Sequence, residues 1–172
     1  IHKGLQGSYS DLVKDVQEKY GVELTSVGAL GISAMMHGYM PFDKDGKLLV
    51  PFRTWRNNIT GEASEKLMEL FQYNIPQRWS IAHLYQAILN GEEHVKDIDY
   101  MCTLEAYVHR MLTGKRVLGI GDAAGMFPVD SEKKDYNQEM VEKFDKLVES
   151  YGFPWKLRDI MPEVMVAGQD AG

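Results

Sequence analysis

Apolar positions recur at helical spacing along most of this chain and alternate only in short stretches. Leu12, Val13, Val16 and Tyr20 share one side of a first helix. Gly7-Ser8-Tyr9-Ser10-Asp11 opens it, with Ser8 as cap and Asp11 near the positive end of the dipole, and Gly21 stops it. Thr60 caps a second helix that turns Ala63, Leu67 and Leu70 inward and breaks at Asn74-Ile75-Pro76. A third follows Gln77-Arg78-Trp79-Ser80, with Leu84, Ile88 and Leu89 on one side and Asn90-Gly91 closing it. Leu104 to Leu112 forms a fourth, ended by Thr113-Gly114. Asp135 and Gln138 read as a capping box, and the helix behind them aligns Tyr136, Met140, Phe144, Leu147 and Tyr151.

The strand-like segments are fewer. Val22 to Leu30 leads into a buried strand that ends in Met36-His37-Gly38. A hairpin comes next: Tyr39 to Phe42, the turn Asp43-Lys44-Asp45-Gly46, and Lys47 to Val50. Short strands are expected in the front half of Pro51 to Asn58, at Ile98 to Met101, and at Val164-Met165-Val166, the last after an irregular stretch from Leu157. Lys115 to Leu118 is a weak strand, and Gly119 to Met126 is glycine-rich and loop-like. The pattern describes an α/β domain whose sheet is small for its helices.

Composition narrows the classes. With 172 residues, 44% hydrophobic and 26% charged, the chain can bury one proper core. A net charge of −6 and a pI near 5.4 disfavour a nucleic-acid partner. No apolar run reaches the roughly 18 residues that a membrane span needs. Cys102 is the only cysteine, which excludes an intrachain disulfide and reads as a core thiol in a reducing compartment.

Several familiar chemistries fail on spacing. Gly119-x-Gly121-x-x-x-Gly125 lacks the Lys-Ser or Lys-Thr of a phosphate loop and misses the dinucleotide spacing by one. The histidines at 2, 37, 83, 94 and 109 form no metal signature, and no serine sits in a nucleophile elbow. Asp122 and Asp170, flanked by small residues, suit turns better than general-base roles. Met36-His37 at a strand end is the better candidate. Trp55-Arg56-Asn57 and Gln77-Arg78-Trp79 add indole rings beside hydrogen-bonding groups, as a polyhydroxylated ligand would require. On residues alone, a sugar platform and a core tryptophan with polar neighbours both stand.

These residues also carry a resemblance. Gly31-Ile32-Ser33-Ala34-Met35-Met36-His37-Gly38, with Phe42-Asp43-Lys44-Asp45-Gly46, resembles the "GISGQMHG…D.DG" segment of FGGY-family carbohydrate kinases, xylulokinase-like members above all. Thr54-Trp55-Arg56-Asn57-Asn58 is similar to "LWNDxR". His109 to Lys115, then Gly121-Asp122-Ala123-Ala124-Gly125-Met126-Phe127, resembles "YLRYRLTGE…SDASGTLLFD", and Met161-Pro162-Glu163-Val164 with Ala167-Gly168 resembles "LPPVxxxGxxxG". The resemblance runs from about Gly7 to the end.

The resemblance implies the ribonuclease H-like domain of the sugar kinase, hexokinase and actin superfamily, truncated at both ends. Residues 1–172 would be a single domain, the N-terminal sugar-binding lobe of a two-domain kinase. The implied activity is ATP-dependent phosphorylation of a sugar, with a ketopentose such as xylulose as substrate. The alternatives are ribulose or another sugar, or a non-catalytic actin-like regulatory domain. The family's Asp-Gly-Thr turn would precede Ile1 and its catalytic aspartate would follow Gly172, so no catalytic residue is assigned in this chain. Met36 and His37 match the family's sugar-contacting pair, and Trp55 its aromatic. Asn57 stands where an aspartate would be, and Arg78 lies near a further substrate contact. Ala34-Met35 for Gly-Gln and Trp55-Arg56-Asn57 for Trp-Asn-Asp are departures beside the inferred site. The implied cofactors are ATP and Mg²⁺, held mostly by parts outside this chain. The expected partners are a small-molecule sugar, a C-terminal nucleotide-binding domain of the same protein and a second copy in a homodimer. Nucleic acid and membrane are not expected, and the expected location is cytoplasmic.

Overall fold

The computed structural model describes all 172 residues, which divide into two compact units, Ile1–Gly31 and Ile32–Gly172. The first unit holds one helix, α1 (His2–Tyr20), and none of its residues is buried. It begins six residues before Ser8: the ladder is already running at Leu5, whose N–H reaches the Ile1 carbonyl at 3.0 Å. Ser8 therefore lies inside the helix and caps nothing. Gly21 does stop it, in the left-handed conformation (φ 64°), and its N–H returns to the Gln17 carbonyl.

The expected strand before His37 does not form. Residues 22–35 adopt no regular structure, and Val22, Val27 and Leu30 are more than half exposed. An alternating sequence becomes a strand only when another strand takes up its N–H and C=O groups and its apolar face is covered. Neither condition is met here.

The second unit holds β1 (Met40–Phe42), α2 (Gly61–Phe71), α3 (Ser80–Leu89), β2 (Tyr100–Cys102), α4 (Leu104–Thr113), β3 (Val117–Gly119), α5 (Ile120–Ala123), β4 (Val129–Asp130), β5 (Asp135–Tyr136), α6 (Gln138–Val148), α7 (Leu157–Ile160) and β6 (Glu163–Met165). The strands pair two by two. β1 runs antiparallel to β2, β3 parallel to β6, and β4 antiparallel to β5. The hairpin turn at Asp43–Gly46 forms, with Asp43 Oδ1 accepting the N–H groups of Asp45 and Lys47. Its second arm, and the stretch after Pro51, are reduced to single bridges, Phe42 with Leu48 and Tyr39 with Arg53.

The core packs these pairs against α2, α3 and α6. Leu67, Ile81, Leu84, Tyr100, Met101, Phe127 and Phe144 are fully buried, each contributing about 1.5–3 kcal/mol of apolar burial. α3 is enclosed on all sides from Ser80 to Ile88. Cys102 is buried as a core thiol, and burial pushes its pKa up. Several local expectations change. Asn137, not Asp135, caps α6, accepting from the Met140 N–H at 3.1 Å; Asp135 is held in β5 and paired with Arg158. The α6 stripe is Val141, Phe144 and Val148, leaving Tyr151 half exposed. The glycine-rich stretch after β3 and the stretch after Lys156 are one-turn helices rather than loop. Thr60 precedes α2 as expected, but its hydroxyl donates to the Gln77 carbonyl at 2.5 Å instead of capping.

Candidate functional site

Met36-His37-Gly38 lies where the irregular segment meets β1, and two glycines make that placement possible. Gly38 has φ 115°, a conformation that side chains rarely adopt. A Cβ there would come 2.7 Å from the Arg53 carbonyl oxygen and 2.8 Å from the Phe52 ring. The absent side chain thus lets the segment at His37 close onto the 52–53 backbone, where the Tyr39 N–H donates to the Arg53 carbonyl at 2.9 Å. On its other side the Gly38 carbonyl accepts the buried Ser80 hydroxyl at 2.5 Å, pinning it to the first residue of α3.

Gly125, just past α5, is the second. Its carbonyl oxygen is 3.1 Å from His37 Nδ1. A carbonyl only accepts, so Nδ1 carries the proton and a neutral His37 leaves Nε2 as a lone-pair acceptor. A Cβ on Gly125 would fall 2.7 Å from His37 Nδ1 and 2.8 Å from Met36 Cγ. The turn presenting Gly125 is held from below. Thr103, fully buried at the start of α4, donates its hydroxyl to Asp122 Oδ2 at 2.5 Å, and the Gly125 N–H returns to the Asp122 carbonyl. Burial pushes the Asp122 pKa up and Glu105 adds to this, while the Thr103 hydrogen bond opposes it.

Burial lowers the pKa of His37, the Gly125 carbonyl partly restores it, and the nearby Arg78 guanidinium lowers it again. The imidazole is therefore neutral at physiological pH, with an acceptor nitrogen free and the Arg78 cation near enough to act on its charge. Such a pair matches a hydroxyl group, which donates to the imidazole and accepts from the guanidinium.

Of the residues singled out from sequence, the structure brings Met36, His37 and Arg78 together. Met36 is 40% exposed, and Arg78 is exposed as well. Trp55 and Asn57 lie on the loop after Arg53. Trp55 is 47% exposed and carries the Arg56 guanidinium over its ring at 5.0 Å. Asn57 Oδ1 accepts the Ile59 N–H in a local turn. Asp170 likewise closes a turn, on the Gly172 N–H. Sequence reasoning missed Ser80, Thr103 and Gly125 as supports of the site. Ser80, Thr103 and Gly125 act through contacts 42, 19 and 88 positions apart along the chain, which no local pattern records. Gly125 drew notice as part of a failed phosphate loop and of a family motif, not as a partner of His37. No group of three or more His, Cys, Asp or Glu is arranged to hold a metal ion, and no residue of the site offers a metal-binding donor set. No helix is long and apolar enough to cross a membrane.

This arrangement of short strands and helices recurs in solved sugar kinases. A ligand-bound xylulose kinase from Lactobacillus acidophilus superposes with a TM-score of 0.72 at 16% identity, covering 95% of this chain and 32% of that one. A xyloylose kinase from Brucella ovis gives 0.70 at 16% identity, covering 89% and 31%. A gluconate kinase from Lactobacillus acidophilus gives 0.69 at 17% identity, covering 89% and 30%. The fold is the ribonuclease H-like, actin-like domain these kinases share, and the chain spans about a third of their length. No curated protein matches the sequence. Residues 4–172 match the N-terminal domain of the FGGY family of carbohydrate kinases, and the chain belongs to that family.

Proposed function

We propose that the protein carrying this chain transfers the γ-phosphoryl group of ATP to a hydroxyl of a sugar, a ketopentose such as xylulose before ribulose or others, and that this chain supplies the sugar-binding lobe. The supporting observation is the neutral, Nδ1-protonated His37 beside Arg78 in a member of a carbohydrate kinase family. His37 Nε2 accepts a hydrogen bond from one sugar hydroxyl. Met36 and Trp55 cover the carbon skeleton, and Asn57 and Arg78 take further hydroxyls. ATP, with Mg²⁺, supplies the phosphoryl group when bound. Both are held mainly by a C-terminal nucleotide-binding domain, which also carries the aspartate that accepts the hydroxyl proton. Residues 1–172 form one lobe of that enzyme, which works in the cytoplasm and pairs as a homodimer. The chain by itself is inactive, and turnover by it would overturn the placing of the aspartate elsewhere.

The test is ATP consumption by the full-length protein across pentoses, pentuloses and gluconate. His37→Ala should lower kcat/KM for the best sugar at least ~5-fold, the value of one specific contact of about 1 kcal/mol. A change within about twofold would remove His37 from the site. No sugar-dependent turnover at all would leave an actin-like binding role in its place.

A further inference from the structure

We infer that Gly125 is a positioning residue for sugar recognition, fixing the imidazole of His37 so that Nε2 is the acceptor presented to substrate. The inference rests on the sugar-binding reading of His37 for its substrate, but its geometry stands apart from it. Three observations converge on this glycine. Its carbonyl oxygen lies 3.1 Å from His37 Nδ1, and that oxygen can only accept. Its missing Cβ is the space that His37 and Met36 occupy, at 2.7 and 2.8 Å. Its backbone has no positive φ, so conformational freedom does not require glycine there; room for the two side chains does. The carbonyl is not adrift, because the turn behind it is tied through Asp122 to the fully buried Thr103.

The consequence is a defined polarity of recognition. With Nδ1 committed to Gly125, neutral His37 has no N–H left for the ligand and can only accept. The group it reads must therefore be a donor, a hydroxyl, and a carbonyl, ether or fluorine at that carbon cannot replace it. Any side chain on Gly125 would displace both the ring and its carbonyl partner. His37 would then lose both its place and its fixed tautomer.

Two measurements on the full-length protein test this. The first is long-range ¹H–¹⁵N correlation of the histidine rings, with the His37 signals assigned through His37→Gln. The expected result is a neutral ring protonated at Nδ1 in the native protein. A ring protonated at Nε2 would overturn the inference, and this reading needs no turnover. The second is a double-mutant cycle in steady-state kinetics. Gly125→Ala should raise KM for the best sugar about tenfold with kcat within about twofold, and in a His37→Ala background it should change KM less than twofold. An unchanged KM, or an equal loss in both backgrounds, would show that Gly125 does not act through His37. If the native protein phosphorylates no sugar, the proposed activity fails while the ring tautomer still decides the role of Gly125.

Discussion

Two histidines near the start of β1 show how differently one fold can treat the same side chain. His37 is half-buried, with one ring nitrogen bound to the Gly125 carbonyl and the other uncommitted. His83, in α3, is fully buried, stacked at 17° on Tyr39, and neither of its ring nitrogens has a hydrogen-bond partner. Around it the core is unusually polar. The Tyr39 hydroxyl is hydrogen-bonded to His94 Nε2 at 2.9 Å, Arg53 pairs with Glu92, and the Arg53 guanidinium lies 5.6 Å over the Tyr39 ring. Burial, with the Arg53 charge adding to it, pushes the His83 pKa down to about 4. The lesson is that a histidine with one oriented bond and an open face is equipped for a ligand. A histidine with no bonds and no exposure is kept neutral and serves as packing.

The largest effect that separates them is acid sensitivity. The folded pKa of His83, about 4, lies below the ordinary value of 6.5. Between those values the unfolded chain binds the extra proton, so the His83 contribution to stability is intact above pH 6.5 and falls as pH drops toward 4. The loss should reach on the order of 3 kcal/mol once both forms are protonated. Chemical denaturation from pH 7.5 to 4 would measure it. His83→Phe keeps a ring on Tyr39 and should flatten that dependence while leaving sugar kinetics unchanged. An equally steep fall in the variant would assign the acid response to other groups.

Next in size is the glycine between the two regions. Gly38→Ala places a Cβ 2.7 Å from the Arg53 carbonyl at φ 115°. Strain of this kind costs about 1–3 kcal/mol, and the contact adds to it. Thermal unfolding should show a loss of at least ~2 kcal/mol, and sugar affinity should fall with it because the close approach of residue 38 to residues 52–53 is lost. A variant as stable as the native protein would mean that the two segments do not depend on that close approach.

Much of this was legible in the chain itself, for identifiable reasons. Helices α2, α3 and α4 announce themselves because their apolar spacing and stops are local. β2 and β6 were found because short apolar runs there have partners to pair with. The strand before His37 was misread because alternation says nothing about whether a partner strand exists. The Met36-His37 pair could be picked out by resemblance, but its supports could not. Ser80, Thr103 and Gly125 reach it from other elements, and the Asp135–Gln138 box yielded to Asn137 because Asp135 was needed by Arg158.

The smallest stability effect belongs to Trp55, which sharpens the contrast from the other side. His37 is held by the protein before any ligand arrives; Trp55 is 47% exposed, and the one ring contact it makes is with the adjacent Arg56. Trp55→Ala should therefore change unfolding free energy by no more than about 0.5 kcal/mol, as for a surface substitution away from caps and strain. If the indole covers the carbon face of the sugar, the same substitution should raise KM several-fold, since an aromatic platform contributes about 0.5–1.5 kcal/mol beyond area alone. Isothermal titration with the best sugar, beside a denaturation curve, separates the two readouts. Lost stability with unchanged affinity would make Trp55 a packing residue like His83 and leave Met36, His37, Asn57 and Arg78 as the ligand-facing group on this lobe.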